Sequence, residues 1–363
     1  MTGKASADTG MMSVSIVAGP AARSVIDKLG GVAAVAEFAG STPDQIIQRL
    51  QAIVEKGDTA DLILPCAEDR PAMAYASLFA DPSTGLSKFA QLTRVVFAID
   101  PKPLLDALLD REQTDVSPVF LAEQLEFVTD ILCEGALNDR DFELARSVVT
   151  ILNPTARIGA LAAATTWTNE RKTPFDFEGA LNGARWRALL ETESPVSLDN
   201  EVTAFGYHAR RPFHPERFWN LLQQGIRGVF RAKGFFWLAT RMGDVGGLNL
   251  AGRELQCASA GHWWATRDAQ TRESEMPGRT REQWREPFGD RRQSFAVMAL
   301  GAGPDALRNQ LDTCLLTEDE MARGEDEWGS LTDPFPSWEH IHHHHDHHEC
   351  DHDHDSDEDC CHH

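Results

Sequence analysis

The stretch FGYHARRPFHPERFWNLLQQGIRGVFRAKGFFWLATR, Phe205 to Arg241, carries a helix start between two strand signals. Pro215 can open a helix, because the first helical position has no use for the N–H that proline lacks. Phe218, Leu221 and Leu222 then fall on the buried side of that helix. In FFWLA, side chains alternate: Phe235, Trp237 and Ala239 point one way, Phe236 and Leu238 the other. Both sets are apolar, which predicts a strand covered on both faces. Arg231 and Lys233 share one face of it. They suit an anion, a partner carboxylate or a salt-bridged sheet surface. His214, next to Pro215, reads as a cap or turn residue ahead of a metal ligand. A small α+β sheet domain over residues 201–336 is expected.

Moving toward the N-terminus, TNERKTPFDFEGALNGARWRALLETESPVSLDN is polar and interrupted by Pro174 and Pro195. It reads as a link over 168–200 with one helical piece around Leu181 to Leu190. Before it, residues 13–167 alternate short apolar runs with helical patterns. VSIVAG (Val14–Gly19), Leu62–Leu64, RVVFAID (Arg94–Asp100) and TDILC (Thr129–Cys133) are strand candidates. Ile46, Ile47, Leu50 and Ile53 share one helical face, as do Leu144, Val148, Val149 and Leu152. Strands alternating with helices predict an α/β unit built on a mostly parallel sheet. Residues 1–12 are expected to be disordered. No internal repeat is present.

In such a fold a ligand sits where the first strand runs into the first helix. A P-loop needs GxxxxGK[ST] there, so that backbone N–H groups surround the phosphates, lysine neutralises charge and the hydroxyl holds magnesium. The sequence offers GPAARSVI, Gly19 to Ile26. Gly19 can make the turn and Arg23-Ser24 imitates Lys-Ser, but no Gly-Lys pair is present and Pro20 removes a donor. Gly19, Arg23 and Ser24 are therefore at most a vestigial phosphate loop beside the plain alternative of a structural turn.

The C-terminal segment 337–363 ends in WEHIHHHHDHHECDHDHDSDEDCCHH. Its candidate ligands are His340, His342, His343, His344, His345, His347, His348, Cys350, His352, His354, Cys360, Cys361, His362 and His363. Asp346 breaks the longest histidine run and cysteines are mixed in, unlike a purification tag. The segment has no apolar residue after Ile341, so it predicts a disordered tail. Imidazole, carboxylate and thiolate are the ligand types zinc accepts. A metal-collecting tail is expected, with Zn2+ first and Co2+ or Ni2+ open, because ligand type alone does not choose the metal.

A net charge of −22, concentrated late in the 363-residue chain, disfavours nucleic acid and anionic membrane and attracts cations. No apolar h-region or spanning run is evident. The seven cysteines form no secreted disulfide pattern, so a cytoplasmic location is expected. Cys66, with Glu68 and Asp69, could supply a substitute metal site, although a small core or loop residue is the simpler reading. Cys133, Cys257 and Cys314 read as core.

Phe205 to Arg241 resembles the C-terminal domain of CobW-type proteins, the metal-associated GTPases related to nitrile hydratase activators and zinc chaperones. AGHWWA (Ala260–Ala265), EPFGDRRQSFAVMAL (Glu286–Leu300), LDTCLLTEDEM (Leu311–Met321) and WGSLTDPFP (Trp328–Pro336) continue the likeness. VSIVAG, VAAVAEFAG (Val32–Gly40), Ser77–Leu108 and LNPTARI (Leu152–Ile158) are similar to segments of the family's GTPase half. That likeness implies a P-loop GTPase half, a CobW-type C-terminal half and a role in metal homeostasis.

Four family motifs are altered. The Gly-Lys-Thr is absent, and so is the Cys-x-Cys-Cys metal motif expected after the second strand. PCAEDRP (Pro65–Pro71) replaces the second switch, and EGALND (Glu134–Asp139) replaces the guanine-reading Asn-Lys-x-Asp. A degenerate, GTPase-inactive metallochaperone or buffer is expected, with no catalytic residues and no bound GTP. Its partners would be a divalent ion and a client metalloprotein or an intact family member. A slow divergent GTPase using Arg23 and Ser24, or a partner-binding module regulating an intact member, are the alternatives.

Overall fold

β1 (Met12–Ala18) lies in the middle of a parallel sheet, because neither of its faces can be left in water. Val14 and Ile16 enter one core and Val17 the other. The computed structural model describes residues 11–29, 34–35, 42–56, 61–133, 140–163, 173–192, 194–199 and 201–338. Within them β1 pairs with β3 (Asp61–Pro65) and β4 (Ala90–Ala98), and β2 (Ala34–Val35), β5 (Asp130–Cys133) and β6 (Arg157–Ala160) complete the order β2-β3-β1-β4-β5-β6. All five pairings are parallel. Parallel neighbours need crossovers, and the sequence supplies α1 (Ala22–Leu29), α2 (Pro43–Lys56), α3 (Ala72–Ala80), α4 (Pro101–Leu109), α5 (Pro118–Phe127) and α6 (Arg140–Leu152).

Each helix has a local reason to form. In α2 the buried Ile46 and Leu50 recur at helical spacing, and Ile47 and Ile53 pack beside them. α4 and α5 both open on proline, and Ser117 Oγ accepts the Phe120 N–H at 3.1 Å to cap α5. α1 covers one face of the sheet, with Val25 and Leu29 against Val17, Ile63, Val96 and Leu132. Residues 173–190 pack on the first half as well: Phe175 and Phe177 meet Phe127 edge-on at ring separations of 5.6 and 5.7 Å.

The sheet of the second half is antiparallel throughout. Strands β7 (Val196–Ser197), β8 (Val202–Ala209), β9 (Val229–Phe236), β10 (Asp244–Ala251), β11 (Glu254–His262) and β12 (Gln293–Leu300) run in the order β11-β10-β9-β12-β8-β7. Alternation assigns the faces. Phe205 and Tyr207 of β8 join Phe218 and Leu222 of the helix Pro215–Gln224 and Leu307 and Leu311 of the helix Pro304–Asp312. Val202 and Ala204, with Phe230, Ala296 and Met298, belong to the core of the first half. Helices α4, α5 and α6 thus lie between two sheets. The α/β parallel unit and the α+β domain predicted from the sequence are both present.

One expectation is corrected. FFWLA is not a single strand covered on both faces. β9 stops at Phe236, Phe235 remains 37% exposed, and the chain leaves the sheet so that Leu238 bridges Phe213. Trp237 and Ala239 are buried by that departure and not by strand alternation. The Phe213 N–H donates to the Trp237 carbonyl and the Ala239 N–H to the Phe213 carbonyl, at 2.9 and 3.0 Å, which holds the diverted chain.

Arg231 and Lys233 find their carboxylates on this same chain. Arg231 is fully buried, with Nε 2.6 Å from Glu126 Oε1 and Nη2 3.2 Å from Glu126 Oε2 on α5. Its Nη1 donates to Asn249 Oδ1 at 2.7 Å and to the Leu250 carbonyl at 3.0 Å. Lys233 reaches Glu123, one turn earlier on α5, at 2.8 Å. Close by, Gly252 (φ +52°) brings the β10–β11 turn onto α4, where a Cβ would lie 2.3 Å from the Ala107 carbonyl oxygen.

Removing one member of a buried pair leaves the other charged and dry. Arg231→Ala is expected to cost about 3–5 kcal/mol, read as a lower urea midpoint. The double variant Arg231→Met/Glu126→Leu should recover much of that loss, because it leaves no orphaned charge.

Candidate metal and nucleotide sites

The turn after β1 is short and self-satisfied. Gly19 has φ +99°, and a Cβ there would stand 2.4 Å from the Ala98 carbonyl oxygen. Only glycine lets the chain pass so close to the end of β4. The Ala21 N–H donates to that Ala98 oxygen at 3.0 Å, the Ala22 N–H to the Gly19 oxygen at 3.0 Å, and the Ser24 N–H to the Ala21 oxygen at 3.1 Å. Pro20 has no donor. The N–H groups of Ala21, Ala22 and Ser24 are thus committed to the chain's own carbonyls. The Arg23 side chain is 85% exposed and pairs with Asp27 at 3.0 Å, one helical turn along. Gly19, Arg23 and Ser24 are adjacent in space as in sequence, with Arg23 turned along its own helix.

Cys66 follows β3, and its N–H donates to the Val17 carbonyl at 2.9 Å. Burial pushes its thiol up to about 12, so at neutral pH it is a thiol and not a thiolate. Glu68 and Asp69 point into solvent from the next turn. Among the described residues no group of three or more His, Cys, Asp or Glu is arranged to hold a metal. Cys133 and Cys314 are core residues as expected, with Cys133 also pushed up to about 12 by burial, whereas Cys257 is only half-buried on β11. His262 pairs with Asp244 at 3.0 Å. All fourteen candidate ligands of the tail, His340 to His363, lie outside the described residues, as does EGALND.

His214 is the N-cap of the helix Pro215–Gln224, but its side chain makes no capping bond. Its backbone N–H fixes the turn by donating to the Cys314 carbonyl at 2.8 Å. Burial, aided by the Arg217 charge, keeps its imidazole below the usual histidine range. Arg217, one turn into the helix, grips Glu320 through both carboxylate oxygens at 2.8 and 2.7 Å. Glu320 also closes a capping box with Thr317. The Arg217 contact, ahead of the capping bond, holds the Glu320 carboxyl down at about 2.

The last described residues, 331–338, are strapped onto this domain. Arg241 bonds Asp333 through two nitrogens, at 2.8 and 3.0 Å, and donates to the Phe335 and Pro336 carbonyls at 2.8 and 3.0 Å. Trp338 lies over the same guanidinium, its ring centre 4.3 Å away, and meets Phe236 edge-on at 5.8 Å. Phe335 is buried against Phe218, Trp219 and Phe236. The chain therefore enters its histidine-rich segment from a fixed point. Sequence reasoning did not find this clamp, because Arg241 and Asp333 are 92 residues apart. The Asp-Pro-Phe-Pro at 333–336, in an otherwise polar stretch, was the available signal.

Comparison with known proteins follows the same division. Residues 202–315 match the family model described as the cobalamin synthesis protein cobW C-terminal domain. Zinc-regulated GTPase metalloprotein activator 1 of Dictyostelium discoideum is 30% identical over 245 residues, 65% of this chain and 49% of that protein. A zinc chaperone of Mycobacterium tuberculosis is 39% identical over 157 residues, 41% of this chain and 38% of the relative. The chain thus spans about half the length, or less, of these curated relatives. The Zn(II)-bound YjiA GTPase from E. coli, 10% identical, covers 85% of this chain and 100% of its own at a TM-score of 0.34, too loose a superposition to carry an argument.

Three outcomes are expected from this geometry. Alkylation of Cys66 by iodoacetamide at neutral pH, followed by peptide mass spectrometry, should run far slower than at a free cysteine, and Cys66→Ser should leave bound zinc unchanged. Glu320→Gln should cost roughly 1–2 kcal/mol at neutral pH. Because the folded carboxyl sits at about 2 against an ordinary 4.5, that difference is complete above pH 4.5. It should vanish as pH falls through 2, which paired urea melts along a pH series would show.

Proposed function

We propose that this chain, related to the CobW-type metallochaperones through its C-terminal domain, collects and carries divalent metal ions, zinc foremost, without hydrolysing GTP. The observation that carries the reading is the pairing of that domain with a segment of eleven histidines and three cysteines directly beyond it. Two of the curated relatives are a zinc-regulated GTPase metalloprotein activator and a zinc chaperone, which supports zinc as the cargo.

Imidazole, thiolate and carboxylate in one short run would offer several overlapping tetrahedral sets, none of them closed. Such a set suits capture and release better than a structural site, whose ligands are fixed in advance. The clamp at Arg241 would keep the loaded segment next to the second sheet, where a client metalloprotein or an intact family member would dock. The committed donors after β1 and the missing lysine support the absence of phosphoryl transfer, since that chemistry is mainly the stabilisation of charge by such groups. No described helix is long and apolar enough to cross a membrane.

Truncation after Trp338 is expected to remove most of the zinc that the full chain binds, measured by metal analysis after equilibrium dialysis. Unchanged stoichiometry would sink the assignment of the tail. A fluorescent GTP analogue should show no saturable binding, with or without zinc. Zinc-dependent binding would instead make the protein a nucleotide-switched carrier.

A further inference from the structure

Beneath the end of the β8–β12 ribbon is a cavity of about 340 Å³ lined by Leu190, Glu191, Thr192, His208, Arg210, Gln283, Arg292 and Ser294, among others. Register explains its chemistry. Ser294 stands opposite His208 and Gln293 opposite Ala209, so the next pair outward is Arg210 and Arg292. Alternation puts His208, Ser294, Arg210 and Arg292 on one face, the face that continues from Val202 and Ala204. Gly206 clears the space beneath: a Cβ there would lie 2.2 and 2.4 Å from the Leu189 and Thr192 carbonyl oxygens and 2.6 Å from His208 Nε2.

Two like charges side by side at a strand end repel each other, and here neither guanidinium has a carboxylate partner among the described residues. Arg210 donates only to backbone, to the Gln283 carbonyl at 2.8 Å and, at the limit of hydrogen-bond length, to the Arg291 carbonyl at 3.5 Å. Arg292 donates to the Asp290 carbonyl at 2.8 Å. A guanidinium has five N–H donors, so most of theirs are unspent. The nearby carboxylates hydrogen-bond to other groups: Glu191, on the cavity wall, pairs with Arg279, and Asp290 accepts the Trp264 and Ala265 N–H groups, both at 2.9 Å, so their charges reach Arg292 through space and not through a direct bond. Burial depresses both guanidiniums, and the Arg210 charge adds to the effect at Arg292. His208 Nδ1 lies 3.4 Å from Ser294 Oγ, while the buried Nε2 has no hydrogen-bond partner among the described residues.

We propose that this cavity is an oxyanion site that takes a phosphate group between the Arg210 and Arg292 guanidiniums, with His208 Nε2 and Ser294 at its floor. Guanidinium forks match phosphate oxygens in pairs. Two forks and a ring nitrogen suit a tetrahedral dianion better than one planar carboxylate. The site belongs to the second sheet and does not involve the turn at Gly19. It is also independent of the metal-carrying role, so either reading can fail alone.

The test is a titration of the full-length protein with inorganic phosphate, followed by 31P NMR line broadening at constant ionic strength, with and without EDTA. Saturable binding that persists in EDTA and is not displaced by equal acetate is the expected result. Arg292→Gln should weaken it roughly tenfold or more, the worth of a charge-assisted hydrogen bond, while the melting temperature without phosphate stays near that of the parent. If Arg292→Gln fails to fold, His208→Gln is held to the same criterion. Absence of saturable binding, loss of the signal in EDTA, displacement by acetate on equal terms, or undiminished binding in the folded variant would each overturn the proposal.

Discussion

The Arg231–Glu126 pair is the interaction on which the architecture depends. A guanidinium with no exposure can be tolerated only where nearly every donor is answered, and Glu126, Asn249 and the Leu250 carbonyl answer four N–H contacts between them. Those partners come from a helix of the first half and a strand of the second. Neither half can therefore be completed in isolation without exposing or stranding a charge. The apolar core around the pair, shared by α4, α5, α6 and the second sheet, supplies most of the burial. The ion pair ties β9 to α5 at one fixed point within that burial.

Much of the fold was legible because its signals are local. The apolar runs at 14–19, 62–64, 94–100 and 129–133 all lie in or across strands, and the Ile46/Leu50 spacing marks a helix that buries both. The second domain was equally readable from 205–241, down to the proline that opens its helix. What sequence could not show was set by distance along the chain. The departure of Trp237 from β9 depends on Phe213, and the choice of Glu126 by Arg231 depends on 105 residues of intervening fold. For the candidate sites the division is similar. The ligand-rich tail is visible in composition alone, whereas the Arg210–Arg292 juxtaposition exists only once β8 and β12 are in register.

The turn after β1 shows how a strand-to-helix connection can be closed by its own backbone. Gly19 still makes the sharp exit that a strand-to-helix connection requires. The N–H groups that would face a ligand in a longer loop are instead folded back on Ala98, Gly19 and Ala21. Three of its N–H groups are thereby satisfied within the turn itself.

Gly252 has a mechanical consequence. Where side chains meet, a small displacement is absorbed by rotamer changes before it travels further. Gly252 itself brings no side chain, and the β10–β11 turn rests against the Ala107 carbonyl of α4 and the ring of Pro118 at the start of α5. A backbone contact of that kind has no slack. The contact fixes the spacing between the hairpin and the helix layer one residue away from Ala251, which pairs with Arg231 across β9 and β10.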